Sequence, residues 1–195
     1  MELLTKQIEK QKYSELLRRD VFLPYNMKKS SLYPNQIDGL KVSGRNQHGQ
    51  QVSHWQNASF APAGGVLSCT SELCQFILKQ FDTSDQAINL NKKETYTRDE
   101  KISLGLGWAI LKKESNVRYH FHPGGTIGYR SCLAMDETHH TGVVVLTNSS
   151  CFHKKAMMVN DLCFALLHKL NHFKPVALKT SNQEFNAKTL NHYEN

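Results

Sequence analysis

At 195 residues, with 39% hydrophobic and 21% charged side chains, the chain can build one globular core and is too apolar for a disordered one. Its formal charge of +7, from 24 basic and 17 acidic residues, is scattered rather than gathered with aromatics into a stripe, which argues against a nucleic-acid partner. No apolar run approaches the roughly 20 residues needed to cross a bilayer, so no membrane span is expected.

The start, MELLTKQIEK, is charged and amphipathic and lacks the apolar core and small-residue cleavage site of a secretory signal. Five cysteines, Cys69, Cys74, Cys132, Cys151 and Cys163, form no C-x-x-C pair and lie in apolar stretches or beside a helix start. They read as small buried hydrophobes with free thiols. As written, the chain reads as cytoplasmic.

In chain order, Leu4, Ile8, Tyr13, Leu16 and Leu17 predict one or two helices over residues 2–20, ending before Pro24. Residues 34–60 are polar and loop-like, and FAPAGG over 60–65 is a tight turn. A helix then starts near Ser68 or Thr70, either hydroxyl a candidate cap, with Glu72 favourable in the first turn. Leu73, Phe76, Ile77 and Phe81 form its buried face. After a polar stretch, 82–101, strands are predicted at 106–112, 117–122, 128–135 and 142–148. The last, GVVVLTN, is apolar on both faces and reads as a central strand. A helix over 154–171 follows, with Val159, Leu162, Cys163, Leu166 and Leu170 as one sheet-facing stripe. The tail is polar and frayed, and there is no internal repeat. The expected class is α+β, an antiparallel sheet flanked by helices.

The segment His122-Pro123-Gly124-Gly125 carries the chemistry. Glycines in a strand cost stability, so a pair beside an ionisable side chain leaves two readings open: close approach of a backbone or ligand, or a bulge with no ligand. An edge strand there could pair with an extended substrate. The amide of Gly125 could point at a developing oxyanion. His122 could relay a proton or hold a carboxylate.

The string HPGGTIGYRSCLAMDETHHTGVVVLTN (122–148) resembles the C-terminal strands of the serine β-lactamase-like family. That family takes in class C β-lactamases, D-alanyl-D-alanine carboxypeptidases and related esterases, with Lys-Thr-Gly or His-x-Gly as its third motif. Three further segments match in the same order. YSELLRRDVFLPYNMKKSSL (13–32) is similar to the segment carrying F-x-P-L-G-M-x-x-T, and APAGGVLSCTSELCQFI (61–77) to a helix start, A-x-G-G-L-x-S-T-A-x-D-L-A-x-F. GLGW (105–108) precedes a strand. The resemblance covers residues 8–170 and implies a partial β-lactamase/transpeptidase-like fold, with residues 1–172 the C-terminal part of the domain and 173–195 a polar tail.

The resemblance also implies acyl transfer on an amide or ester, with no cofactor, in an enzyme whose complete relatives are usually periplasmic or secreted. His122 takes the Lys/His position, Gly124 the motif's glycine, and the Gly125 amide supplies one oxyanion donor. Pro123 and Thr126 are expected to border substrate. Pro123 departs from the usual Thr or Ser and removes a hydroxyl that often contacts a substrate carboxylate. The larger departure is that no serine has lysine three residues on; Ser150 misses by one, with Lys154 at +4. The triplet Tyr193-Glu194-Asn195 has the Tyr-x-Asn pattern but follows the third motif. The chain therefore reads as a C-terminal fragment, inactive alone, and able to associate with a missing front half or with itself. The alternative is a non-catalytic binding or interaction module on the same fold.

Other candidates have simpler readings. His120 and His122 point to opposite faces of one strand. His139 and His140 occupy a solvated turn, and Asp136 and Glu137 are turn residues. His168 and His172 have i, i+4 spacing but no H-E-x-x-H glutamate or third ligand, so no metal site is expected. Trp55 and Trp108 read as packing residues, although the resemblance would let the 44–60 loop border the cleft.

Overall fold

A computed structural model describes residues 12–37, 41–54, 61–112 and 117–172. The expected features at Leu4 and Ile8, at Trp55 and over the tail fall outside these residues. Helix α1 (Tyr13–Leu17) runs into a π-helical turn, Arg18–Phe22, and a small hairpin joins β1 (Gly44–Arg45) to β2 (Gln51–Val52). Then come α2 (Ala61–Gly64), α3 (Thr70–Gln80) and α4 (Gln86–Lys92). They are followed by β3 (Tyr96–Thr97), β4 (Ile102–Leu104), β5 (Ala109–Lys112), β6 (Arg118–Gly125), β7 (Arg130–Asp136) and β8 (Thr141–Thr147). Helix α5 (Met158–Asn171) closes the sequence. The six strands β3 to β8 form one sheet in chain order, every neighbouring pair antiparallel. The architecture is the expected α+β layering. No helix among the described residues is long and apolar enough to cross a membrane.

Strand alternation divides the core between the two faces of the sheet. On one, Cys132 and Ala134 of β7 and Tyr119 of β6 pack against Cys163 and Leu167 of α5, with Val143 and Val145 joining from β8. On the other, Met135 of β7 packs with Ile77 of α3 and Trp108, joined by Leu133 and Val144. Gly142 allows this: a Cβ there would run into the Ile77 side chain. Among the described strands β8 is therefore an edge, not the centre of the sheet. Its apolar run reflects cover by a helix on each face.

Helix α5 differs from expectation in its rotation. Cys163 and Leu167 are fully buried, whereas Leu162, Leu166 and Leu170 are 50%, 43% and 46% exposed. Phe164 turns toward β6, its ring 5.0 Å edge-on from that of Phe121. The exposed leucines lie on the flank of the helix away from Phe164. Two adjacent apolar stripes share this helix, and the sheet takes the narrower one.

Four other expectations change. Cys69 sits at the N-cap of α3 without a side-chain cap bond, and the Ser68 hydroxyl instead meets Ser30 Oγ at 2.7 Å. Glu72 is buried and does more than favour the helix start, accepting from Lys29 N at 2.5 Å and Ser30 Oγ at 2.6 Å. This ties the connection after α1 to α3. The polar stretch 82–101 contains α4, capped by Asp85 Oδ1, which accepts from Ala87 N at 2.9 Å and Ile88 N at 3.1 Å. All five cysteines are free, but Cys74 is exposed rather than buried. Hydrogen bonding to Cys132, then burial, push the Cys163 thiol well up from its ordinary range, which fits a packing role.

The rotation of α5 is open to test. Leu167→Ala should cost about 2–5 kcal/mol through lost burial and a cavity. Leu166→Ala should cost less than about 1 kcal/mol, because its side chain is already largely wet. Urea midpoints at constant m measure both, and equal losses would place the wrong stripe against the sheet.

Candidate functional site

The candidate rim is built by a mismatch of strand lengths. Strand β6 pairs with β5 only from Arg118 to Phe121, but with β7 from Tyr119 to Gly125. Among the described residues, His122 to Gly125 thus have a strand on one side and an unpaired edge on the other. The register explains why: Leu104 pairs with Ala109, so Gly105 to Trp108 form the β4–β5 turn at the point where β5 would otherwise run beside the rim. That turn is anchored to the end of α4. The Asn91 carbonyl accepts from Leu106 N at 3.0 Å and Gly107 N at 3.3 Å, and Gly105 N donates to Trp108 O at 2.8 Å.

Alternation along β6 puts Phe121, Pro123 and Gly125 on the α5 face and His120, His122 and Gly124 on the α3 face. The His122 side chain is exposed, Gly124 is partly buried and Gly125 is exposed. Neighbours within the chain crowd both positions, more severely at Gly125, where the atom met is a Cβ, than at Gly124, where it is a rotatable hydroxyl. A Cβ on Gly124 would stand 2.5 Å from Ser131 Oγ, and one on Gly125 would stand 2.5 Å from Cys151 Cβ and 3.5 Å from Arg130 Nη1. The sequence left open a backbone or ligand coming close, or a bulge; what stands beside the doublet is instead side-chain atoms of Ser131, Cys151 and Arg130. The unpaired edge is a separate feature, and it is the one suited to an extended ligand.

Beyond Gly125 the chain turns tightly, Thr126 N donating to Tyr129 O at 2.8 Å and Thr126 O accepting from Cys151 N at 3.0 Å. Thr126 is thereby held beside the rim by its backbone. The β1–β2 hairpin docks on this turn: Arg45 N reaches Gly128 O at 3.2 Å and Asn148 O at 2.9 Å. Tyr129 Oη donates to Val42 O at 2.7 Å and lies 3.0 Å from His54 Nδ1, the two rings stacked 5.6 Å apart. The Tyr129 hydroxyl's pKa is raised from its ordinary value by burial. Val42, Arg45 and His54 therefore sit against the turn that follows the rim, while 55–60 lie outside the described residues.

Sequence reasoning passed over two residues here, Cys151 and Arg130. The signal for Arg130 was register: it closes the β6–β7 ladder opposite Gly125. It also passed over a second Tyr-x-Asn triplet, Tyr33-Pro34-Asn35. Tyr33 and Asn35 line a groove of about 770 Å³ with Lys12, Arg18, Phe22 and Ser30, and no rim residue borders it.

The remaining candidates are structural. Trp108 is buried packing, as expected. Asp136 is not a plain turn residue: fully buried, it accepts from Thr138 N at 2.8 Å, His139 N at 3.3 Å and Asn171 Nδ2 at 2.7 Å, and pairs with His139 Nδ1 at 2.8 Å. It ties the β7–β8 turn to the end of α5. Glu137 pairs with the buried Lys92 ammonium at 2.5 Å, and His140 packs its ring 5.4 Å from Phe81. His168 and His172 have ring centroids 4.4 Å apart, and no cluster of three metal-binding side chains occurs among the described residues. His120 is buried, its Nε2 3.3 Å from Lys92 O and its Nδ1 without a hydrogen-bond partner. Burial lowers its pKa below the ordinary 6.5, outweighing the opposite pull of Glu137.

A family model described as Beta-lactamase matches residues 1–162. Among solved structures, a class C beta-lactamase superposes with a TM-score of 0.72 at 14% identity, covering 89% of this chain and 55% of that one. A class C beta-lactamase point mutant gives 0.71 at 14%, covering 86% and 55%. At such identity the likeness is one of fold, and the chain spans about half the length of these structures. No curated protein matches it.

Two measurements check this geometry. Gly105→Ala should destabilise by about 1–3 kcal/mol, because the new Cβ would stand 2.7 Å from Asn91 O and 3.0 Å from Lys93 O, both backbone. Gly107→Ala should be milder, its nearest atom being 3.9 Å away. Separately, His120 has a folded pKa below its unfolded value, so the unfolded chain binds its proton first. Stability should fall as pH drops below about 6.5. His120→Gln should flatten that part of the pH–stability curve, and an unchanged slope would rule the residue out.

Proposed function

Since this chain belongs to the beta-lactamase family, we propose that it carries the sheet side of a serine acyl-hydrolase site acting on amide or ester substrates. The observation that carries this reading is the unpaired edge of β6 from His122 to Gly125. There an extended acyl substrate can add along the strand, with the Gly125 amide as one donor to the developing oxyanion. In this reading His122 occupies the position of the motif's proton-handling or carboxylate-holding residue, and Pro123 and Thr126 border the substrate. The second oxyanion donor is the amide of the nucleophilic serine itself, in a Ser-x-x-Lys segment.

No Ser-x-x-Lys occurs in these 195 residues. The proposed nucleophile therefore comes from polypeptide beyond this sequence, and the 195 residues alone do not turn over substrate. The outer edge of β8, which pairs with no strand among the described residues, and the exposed flank of α5 support association with that complementary part. Residues 141–147 contain no charge or proline to discourage strand pairing, and Leu162, Leu166 and Leu170 of α5 are exposed. The same surface supports a second reading, a non-catalytic module that keeps the rim and uses this apolar side for a partner.

The purified chain, incubated with a fluorescent penicillin or an activated ester, should show no stoichiometric acylation by intact-mass measurement. One mole of serine adduct per mole of chain would overturn the proposed division of the site.

A further inference from the structure

We propose that His120, Lys92 and Glu137 form a buried acid-sensitive latch that fixes the open edge of β6 at neutral pH and loosens it when His120 takes up a proton. The latch stands on the geometry around His120; its effect on ligands rests on reading His122–Gly125 as a substrate rim.

The three side chains come from three elements. His120 lies on β6 two residues before the rim, Lys92 ends α4, and Glu137 opens the β7–β8 turn. His120 and Lys92 are buried, and Glu137 is partly exposed. The Lys92 ammonium donates to Gln80 O at 2.6 Å and pairs with Glu137 Oε1 at 2.5 Å. His120 Nε2 lies 3.3 Å from Lys92 O. A carbonyl only accepts, so Nε2 carries the proton and the neutral ring leaves Nδ1 bare. Nδ1 has no hydrogen-bond partner and stands 3.9 Å from Glu137 Oε2. Both atoms are acceptors until the ring is charged.

A proton on His120 upsets the balance of charge. Lys92 and His120 then share the one carboxylate of Glu137, and Arg118 of the same strand adds repulsion. Two more imidazoles sit on the turn: His139, paired with Asp136, and His140. A cavity of about 400 Å³, lined by Lys92, Lys93, Glu137 and His140 among others, brings solvent to the ion pair and leaves space for it to part. The latch bears on the rim through the residue before Lys92. The Asn91 carbonyl holds the amides of Leu106 and Gly107, fixing the turn that stops β5 short of His122–Gly125. Local opening lets His120 charge in water, so acid favours release of the end of α4 and of this turn. Once released, the turn no longer has a set place beside the rim.

Hydrogen exchange of backbone amides in the full unliganded chain, corrected for intrinsic rates, tests the latch. From pH 7.5 to 5.0, Leu106 and Gly107 should lose protection about threefold or more beyond any loss at Cys132 to Ala134 in the centre of β7. His120→Gln keeps a donor for Lys92 O but cannot titrate, and should abolish that difference. Glu137→Gln should lower protection at Leu106 and Gly107 already at pH 7.5, because Lys92 loses its carboxylate. Equal losses at the turn and in β7 would leave only global destabilisation and overturn the latch. An unchanged difference in His120→Gln would also overturn it, and assign the effect to His139 or His140. If that variant fails to fold, NMR of the native imidazole decides: a neutral ring protonated on Nδ1 overturns the latch, and one protonated on Nε2 with a midpoint below about 6.5 supports it. The uncharged peptide N-acetyl-alanyl-alaninamide, followed by the amide shifts of His122, Gly124 and Gly125, reads the rim. It should bind about threefold or more weakly at pH 5.0 than at 7.5, and equally at both in His120→Gln, which separates His120 from the exposed His122. Equal binding at both pH values in the native chain would overturn control of the rim. The expected exchange pattern with no peptide binding at either pH keeps the latch and removes the rim reading.

Discussion

The free edge of β6 exists because the β4–β5 hairpin turns back early. Two glycines and the Asn91 carbonyl set that turn: the carbonyl holds the amides of Leu106 and Gly107, while Gly105 packs where any side chain would meet backbone oxygens. Had β5 continued, its residues would have paired along His122–Gly125 and consumed the edge. The end of a seven-residue helix thus determines whether the stretch His122–Gly125, well beyond it in the chain, is open or closed. Backbone hydrogen bonds buried away from water must be made somewhere, so the amides bound by α4 cannot also serve the sheet.

The rest of the domain makes that edge rigid. Strands β7 and β8 are gripped on both faces, by α5 through Cys163 and Leu167 and by α3 through Ile77. The Asp136 network ties the far end of the β7–β8 turn to α5, and the docked β1–β2 hairpin steadies the near end at Gly128 and Tyr129. A rim built on packed strands can hold backbone donors more precisely than one built on loops. The rim also has different chemistry on its two faces: an exposed imidazole at His122, and a guanidinium at Arg130.

Packing also explains the glycine doublet without any ligand. Ser131 and Cys151 fill the space that side chains at Gly124 and Gly125 would need. What separates this strand from an ordinary packed one is that, among the described residues, His122 to Gly125 have a strand on one side only.

Much of this was legible from residue order. The four ordered segments, the α+β class, four of the six strands of the sheet and the packing role of Trp108 follow from periodicity, turn residues and motif spacing, all of which are local; the short β3 and β4 do not. Three things were not local. Cys163 and Leu167 lie on one stripe of α5 and Leu162, Leu166 and Leu170 on the next, and periodicity cannot say which of two adjacent stripes meets the sheet. An apolar strand covered on both faces reads the same at the edge of a sheet as at its centre, so GVVVLT could not reveal that β8 is an edge among the described strands. Helix α4 has little apolar periodicity and depends on the Asp85 cap and its tertiary contacts, so the turn it anchors, and the edge that turn leaves free, were invisible in the sequence. Sequence sets what each segment prefers. Which amides and charges are left without partners depends on what the other segments bring beside them, and only the tertiary structure decides that.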